Sequence, residues 1–257
     1  MVTGPASEKS RAQDVFAAEG AAPVRQVHLV RSGTDPGGIA GLTGEQQRWL
    51  RECASDIASA RKQTLLPGAD GSLAGVVLGV GQGSAGDPCG PSELLIGQLA
   101  SSAPAGTYAL NDQNVDPTLA AIAWGLGAYR YRRYKTGTSV NQKARLVMPA
   151  SADRKAVLDI VEGVWLGRDL INTPASDLGP EELEAEARAL ARLHGAGISV
   201  TVGEALLEAN FPMIHAVGRA STRAPRLIDM TWSKPGGLGD APRVTLVGKG
   251  ICFDTGG

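Results

Sequence analysis

Cysteine is scarce in this chain of 257 residues. Cys53, Cys89 and Cys252 stand far apart and form no CxxC pair, which excludes a zinc finger and a disulfide framework and fits a reducing compartment. Long apolar runs are also missing, and no stretch is long enough to cross a bilayer. No apolar segment follows the charged start, so no secretion signal is expected, and Glu8, Asp14 and Glu19 argue against a transit peptide. A soluble, cytoplasmic protein is the expectation. Nor does either sign of charge dominate. With 25 basic and 26 acidic side chains, a general attraction to nucleic acid or to anionic membranes is not indicated. The three histidines, His28, His194 and His215, are too scattered to suggest a triad or a metal motif. Structural roles are expected for them: His28 in a strand, His194 just before Gly195 at a helix end, and His215 in an apolar segment. No internal repeat is found.

What is present is an alternation of short β-like runs with longer helical ones. Residues 1–22, rich in Ala, Gly, Glu and Ser without periodicity, read as a flexible arm. Val24 to Val30 reads as a strand. Thr43 to Lys62 reads as a helix opened by the capping box Thr43-x-x-Gln46, with Trp49, Cys53 and Ile57 on one face. Then come a strand at Leu73 to Gly79, a helix from about Pro91 to Ser101, a strand near Tyr108, a helix from Pro117 to Lys135 and a strand at Ala144 to Met148. This pattern predicts an α/β domain over residues 23–150.

A connecting helix is expected over 151–172, with Val157, Ile160, Val161 and Val164 at helical spacing and an end at Asn172-Thr173-Pro174. Residues 173–257 read as the start of a second domain. Its helix begins at Pro180, has Glu181 and Glu182 at its positive end and stops at Gly195. Strands are expected at Ile198 to Val202, Leu227 to Trp232 and Arg243 to Val247. The fold class is thus α/β: an N-terminal α/β domain plus the incomplete first part of a second, mixed-sheet α/β domain. A part this small buries little apolar surface and leaves an open sheet edge, so a longer parent protein is expected.

The densest chemistry lies at Val247-Gly248-Lys249-Gly250-Ile251-Cys252-Phe253-Asp254-Thr255-Gly256-Gly257. The apolar run Val244-Thr245-Leu246-Val247 suits a strand buried on both faces, and α/β folds place ligands at the carboxyl ends of such strands. Gly248 and Gly250 keep side chains out of the way of a ligand, and Lys249 and Asp254 would converge on it. A carboxylate is an ordinary ligand for hard metals. A lysine must first lose its proton, a cost that adjacent divalent cations can offset. The alternatives on spacing alone are a surface lysine beside a glycine turn, or a phosphate loop. The phosphate loop is rejected, because Arg243 stands where its first glycine belongs and Gly250 where its Ser or Thr belongs.

The string Val247 to Gly257 resembles the signature of the leucine aminopeptidase family, also called cytosol aminopeptidases, which are two-metal enzymes. Two further blocks agree: Gly167-Arg168-Asp169-Leu170-Ile171-Asn172-Thr173-Pro174-Ala175 and Phe211-Pro212-Met213-Ile214-His215-Ala216-Val217-Gly218-Arg219-Ala220. They extend the resemblance over 151–257, with weaker similarity before it. The resemblance implies that Lys249 and Asp254 are metal ligands; Cys252 stands where many members have threonine. It also implies a dinuclear metalloaminopeptidase that removes N-terminal residues from peptide substrates with two divalent ions (Zn, Mn or Mg), hexameric when complete. In the family the remaining ligands, two aspartates and a glutamate, and a catalytic lysine and arginine follow this signature. Catalytic residues are therefore unassigned here. Two ligands cannot hold two ions that need about four to six donors each, so these residues alone are expected to be inactive. The other expectation, from a different class, is a non-catalytic assembly or DNA-binding, regulatory member of the family.

Other motifs weigh less. Gly79-Val80-Gly81-Gln82-Gly83 superficially matches a dinucleotide turn, but Ser84 replaces the third glycine, and a structural loop is expected. Tyr129-Arg130-Tyr131-Arg132-Arg133-Tyr134-Lys135 interleaves aromatics with bases as a nucleic-acid patch does. The preferred reading is a helix end with cations in its last turn and Trp124, Tyr131 and Tyr134 on one packed face. Glu181 and Glu182 are read as favouring a helix start rather than as acid/base groups.

Overall fold

The computed structural model describes residues 11–18, 20–54, 56–82, 92–111, 114–135, 143–234 and 242–252. They belong to two compact units, the first of residues 6–167 and the second running from Arg168 onward. The first unit is built on six strands: β1 (Phe16–Ala17), β2 (Val24–Arg31), β3 (Gln63–Pro67), β4 (Leu73–Gly81), β5 (Gly106–Leu110) and β6 (Ala144–Val147), in the spatial order β1-β6-β5-β2-β4-β3. All neighbours run parallel except β3, which pairs antiparallel with β4.

The near-continuous apolar sequence of β4 follows from burial on both faces, and its alternation sorts the core into two layers. Val76, Leu78 and Val80 join Val27 and Leu29 of β2 in the larger cluster, with Tyr108, Trp124, Val157, Val161 and Trp165. Val77 points the other way and packs with Val30, Leu50, Ile57 and Leu66. Helices α4 (Pro117–Gly127) and α5 (Arg154–Asn172) supply the first layer, and α1 (Gly44–Cys53) supplies the second.

Several expectations change here. The arm expected over 1–22 does not extend through residues 11–17: Arg11–Val15 forms a 3-10 turn that buries Ala12 and Val15, and Phe16 enters the core at the sheet edge. The Ala12 N–H donates to Glu162 Oε1 on α5, and the Arg11 guanidinium lies 5.5 Å from the Trp165 ring centre. Helix α1 keeps its capping box, with Gln46 N–H donating to Thr43 Oγ1 at 3.2 Å, but it ends at Cys53 rather than Lys62. Asp56 and Arg61 then take left-handed backbone angles that no helix can continue through. The inward face is consequently Leu50, while Trp49 and Cys53 are exposed and Ile57 is buried from the turn beyond.

The helix expected near Pro91 to Ser101 is three short pieces, α2 (Ser92–Leu95), a 3-10 turn (Ile96–Gln98) and α3 (Leu99–Ser102). Helix α4, capped by Asp116 Oδ1 accepting from Leu119 N–H at 2.9 Å, stops at Gly127 rather than Lys135. Gly125 and Gly127 weaken its last turn, and Arg130 Nη1 donates to the Gly127 carbonyl at 3.1 Å, taking up a carbonyl left free at the end. Trp124 is buried inside the helix, whereas Tyr131 and Tyr134 lie beyond it and pair with each other, 6.0 Å apart. Gly79 and Gly81 belong to β4 rather than to a loop, while Gly83, Ser84 and Cys89 lie outside the described residues.

In the second unit, α6 (Pro180–His194) starts at Pro180, with Gly179 N–H donating to Glu182 Oε2 at 2.8 Å, and it ends at Gly195 in the left-handed region, φ 65°. Strand β7 (Gly197–Val202), the short helices α7 (Ala205–Glu208) and α8 (Pro212–Gly218), and β8 (Arg226–Thr231) follow. Strands β7 and β8 form an antiparallel pair. The strand expected at Arg243 to Val247 is irregular instead, with Val244, Leu246 and Val247 exposed at 79%, 91% and 93%. Among the described residues no neighbour pairs with this segment, and an apolar run without a ladder partner has no reason to stay extended. No helix of the described residues is long and apolar enough to cross a membrane.

Candidate metal centre

Lys249, the first proposed ligand, sits exposed in the irregular segment 242–252; Asp254, the second, lies outside the described residues. The segment crosses α6. A Cβ added at Gly250 would stand 3.8 Å from Leu183 Cδ2, and Cys252 is half-buried beside the first turn of that helix. Burial pushes the Cys252 thiol up, with Glu182 and Glu181 adding to the shift and Arg223 and Arg226 opposing it. The thiol is therefore held neutral, the opposite of a primed nucleophile.

Beneath the segment lies a set of ion pairs. Arg226, its side chain only 10% exposed, gives one Nη to Glu184 and the other to Glu181. Glu184 also accepts from Arg188 Nε at 2.7 Å. Arg223 Nη1 donates to Glu182 Oε2 at 3.1 Å, while Nη2 donates to the Ser176 carbonyl at 2.9 Å, tying the turn after α5 to the start of α6. Hydrogen bonds from Arg188 and Arg226 hold the Glu184 carboxyl below its ordinary range; backbone N–H groups, of Glu182 itself and of Gly179, do the same for Glu182, with Arg223 assisting. These carboxylates are committed to arginines. The arrangement agrees with Glu181 and Glu182 having a structural rather than an acid/base role. The sequence signal for the rest was thin: a Glu184–Arg188 spacing of four on one helix, and two arginines, Arg223 and Arg226, whose partners lie about forty residues earlier.

The histidines stay apart from Lys249 in their bonding. His215 Nε2 is 3.0 Å from Glu204 Oε1, and the His194 carbonyl accepts from Trp232 Nε1 at 3.1 Å. His28 is buried in β2, its Nδ1 3.4 Å from Asn111 Nδ2, and burial lowers its pKa against an opposing hydrogen bond with the Ala40 backbone. Among the described residues no group of three or more His, Cys, Asp or Glu side chains could hold a metal ion. Lys249 by itself does not fit a divalent cation, which needs several donors. The described residues thus do not form a metal centre.

The three sequence blocks nevertheless all belong to the second unit: Arg168 to Ala175 at the end of α5, Phe211 to Ala220 around α8, and Val247 to Cys252 over the start of α6. A six-stranded mixed α/β unit followed by one that carries these blocks places the chain in the α/β class. Known proteins are similar in the same order along the chain. The M17 aminopeptidase, N-terminal domain, matches residues 28–149, and the cytosol aminopeptidase family, catalytic domain, matches residues 165–257. The chain belongs to the cytosol aminopeptidase family. A probable cytosol aminopeptidase of Rhodococcus jostii is 35% identical over 219 residues, 77% of this chain and 42% of its own length. One from Nitrobacter winogradskyi is 38% identical over 161 residues, 58% of this chain and 32% of its own length. The crystal structure of cytosol aminopeptidase from Coxiella burnetii is similar with a TM-score of 0.73 at 30% identity, covering 86% of this chain and 47% of that one. The bottromycin maturation enzyme BotP in complex with Mn shares the fold, with a TM-score of 0.62 at 24% identity over 84% of this chain and 46% of that one. The chain spans less than half the length of these relatives.

Proposed function

We propose that this chain is the amino-terminal part of a leucine aminopeptidase-like metallopeptidase that removes N-terminal residues from peptides. The observation that carries the reading is the succession of both family domains along 28–149 and 165–257, with Val247 to Gly257 inside the second. Lys249 and Asp254 are assigned as two of the donors to a pair of divalent ions (zinc, manganese or magnesium), whose other donors are not found among the described residues. Manganese bound by BotP supports divalent metal use. A cytoplasmic location and assembly into a hexamer belong to the same proposal. What the described residues contribute is support: Leu183 under Gly250, and the Arg223–Glu182 pair beside Cys252, seat the segment that carries Lys249.

The test compares hydrolysis of a leucyl peptide and bound divalent metal in two proteins, the 257-residue chain and one extended to the length of its relatives. The short chain should show neither property and the extended one both, with Lys249→Ala removing both. Wild-type activity and metal content in the extended Lys249→Ala protein would overturn the ligand assignment. Hydrolysis by the short chain would overturn its inactivity.

A further inference from the structure

The first unit carries a second feature that aminopeptidase chemistry does not use. A cavity of about 380 Å³ lies between the segment after α4, the end of α3 and the start of β6. Arg130, Arg132, Lys135 and Lys143 line it together with Tyr131, and no carboxylate is among its described lining residues. One of the cations is held in place by its surroundings: the Arg130 guanidinium donates to the Gly127 and Tyr129 carbonyls.

A helix end accounts for only part of this charge. The carboxyl end of a helix carries roughly half a negative charge, so the end of α4 does not by itself account for four cations gathered here. Like charges gathered around a concavity create a potential that a compact anion relieves. The volume falls within the range of about 300–1,000 Å³ typical of small-molecule sites, and the arginine forks suit phosphate oxygens. An extended nucleic acid fits less well. The cations converge on one cavity instead of spacing along a face, and the whole chain has 25 basic against 26 acidic side chains. We propose that the groove formed by Arg130, Arg132, Lys135 and Lys143 is a binding site for a compact polyphosphate, either free or as the phosphate group of a nucleotide.

Calorimetric titration of the 257-residue chain with inorganic pyrophosphate, ATP and adenosine tests this. Pyrophosphate should bind saturably, more weakly as salt rises, and adenosine should not bind. ATP binding no tighter than pyrophosphate points to free polyphosphate as the source, and tighter ATP binding points to a nucleotide; both support the site. In Arg132→Ala/Lys143→Ala, two exposed positions, affinity should fall by roughly tenfold or more. In the unaltered chain, pyrophosphate should shift the amide resonances of Ala100, Ala103 and Ala144, which locates the site without any substitution. Absence of saturable pyrophosphate binding, or binding that ignores both cations and leaves those amides unmoved, would overturn the proposal. Retardation of duplex DNA that pyrophosphate does not compete would replace it with a nucleic-acid surface.

Discussion

Arg226 is the side chain through which α6 and β8 hold each other, and its near-burial makes its loss unequal to its gain. Removing the guanidinium leaves the largely covered Glu184 carboxylate with Arg188 but without its second cation, whereas replacing both Arg226 and Glu184 with apolar groups removes that under-satisfied charge as well. Arg226→Met should therefore lower the denaturation midpoint of the second unit more than Arg226→Met/Glu184→Met does. A double variant as unstable as the sum of its two singles would refute this. The same carboxylates set an acid response. Glu182 and Glu184 have pKa values depressed by folding, so their stabilisation is complete above the ordinary carboxylate value of about 4.3 and is lost as pH falls through the depressed values.

His28 works in a higher window. Burial depresses its pKa, so the unfolded chain takes up the proton first, and stability of the first unit begins to fall as pH drops below about 6.5. Denaturant midpoints measured between neutral pH and pH 5 should slope downward in the unaltered chain and flatten in His28→Gln. An unchanged slope would mean that another group controls it.

Among the elements, the approach of α4 to the 3-10 turn at Ile96–Gln98 is close enough to decide two sequence positions. A Cβ at Gly127 would come 1.8 Å from the Gly97 carbonyl oxygen, and one at Gly97 would come 2.4 Å from the Ala123 carbonyl oxygen. Both obstacles are backbone. Gly127→Ala should destabilise the first unit by about 1–3 kcal/mol, as overpacking does. Gly163→Ala, on the exposed side of α5 with nothing within 4 Å, should stabilise it by about 0.4–1 kcal/mol. Equal effects of the two substitutions would mean that helix propensity alone matters.

That contact also marks the limit of what the sequence made legible. Caps and stops written in local chemistry could be read: Thr43 with Gln46, Pro180 with Glu182, and Gly195. The break between α2 and α3 was hidden, because its cause is a helix more than twenty residues later. Strand β3 was missed for a similar reason: Gln63-Thr64-Leu65-Leu66-Pro67 has no clear alternation and becomes a strand through pairing with β4. The opposite error occurred at Arg243 to Val247, where an apolar run looked like a buried strand but had no partner among the described residues. Lys249 is legible as part of a sequence signature, and its exposed, irregular setting adds no geometry to that reading.

Over the whole molecule, apolar burial is unequally shared. Both core clusters lie in the first unit, whereas Ala191 and Leu206 are the buried hydrophobics among the described residues from 168 onward. Leu193, Met213, Val217, Trp232, Leu246 and Val247 of the second unit stand largely exposed. Amide protection follows burial and pairing, because groups in a two-stranded ribbon with little core open more often than those inside a six-stranded sheet. Hydrogen exchange should therefore be at least about a hundredfold faster in β7 and β8 than in β2 and β4, a gap of roughly 3 kcal/mol in opening free energy. Extending the chain to the length of its relatives should slow exchange in β7, β8 and residues 243–247 and leave β2 and β4 unchanged. Equal protection of the two units in the 257-residue chain would mean that the second unit is self-sufficient as it stands. The exposed Lys249 segment would then be its settled state, and the reading of Lys249 as part of a metal centre awaiting further donors would lose its physical basis.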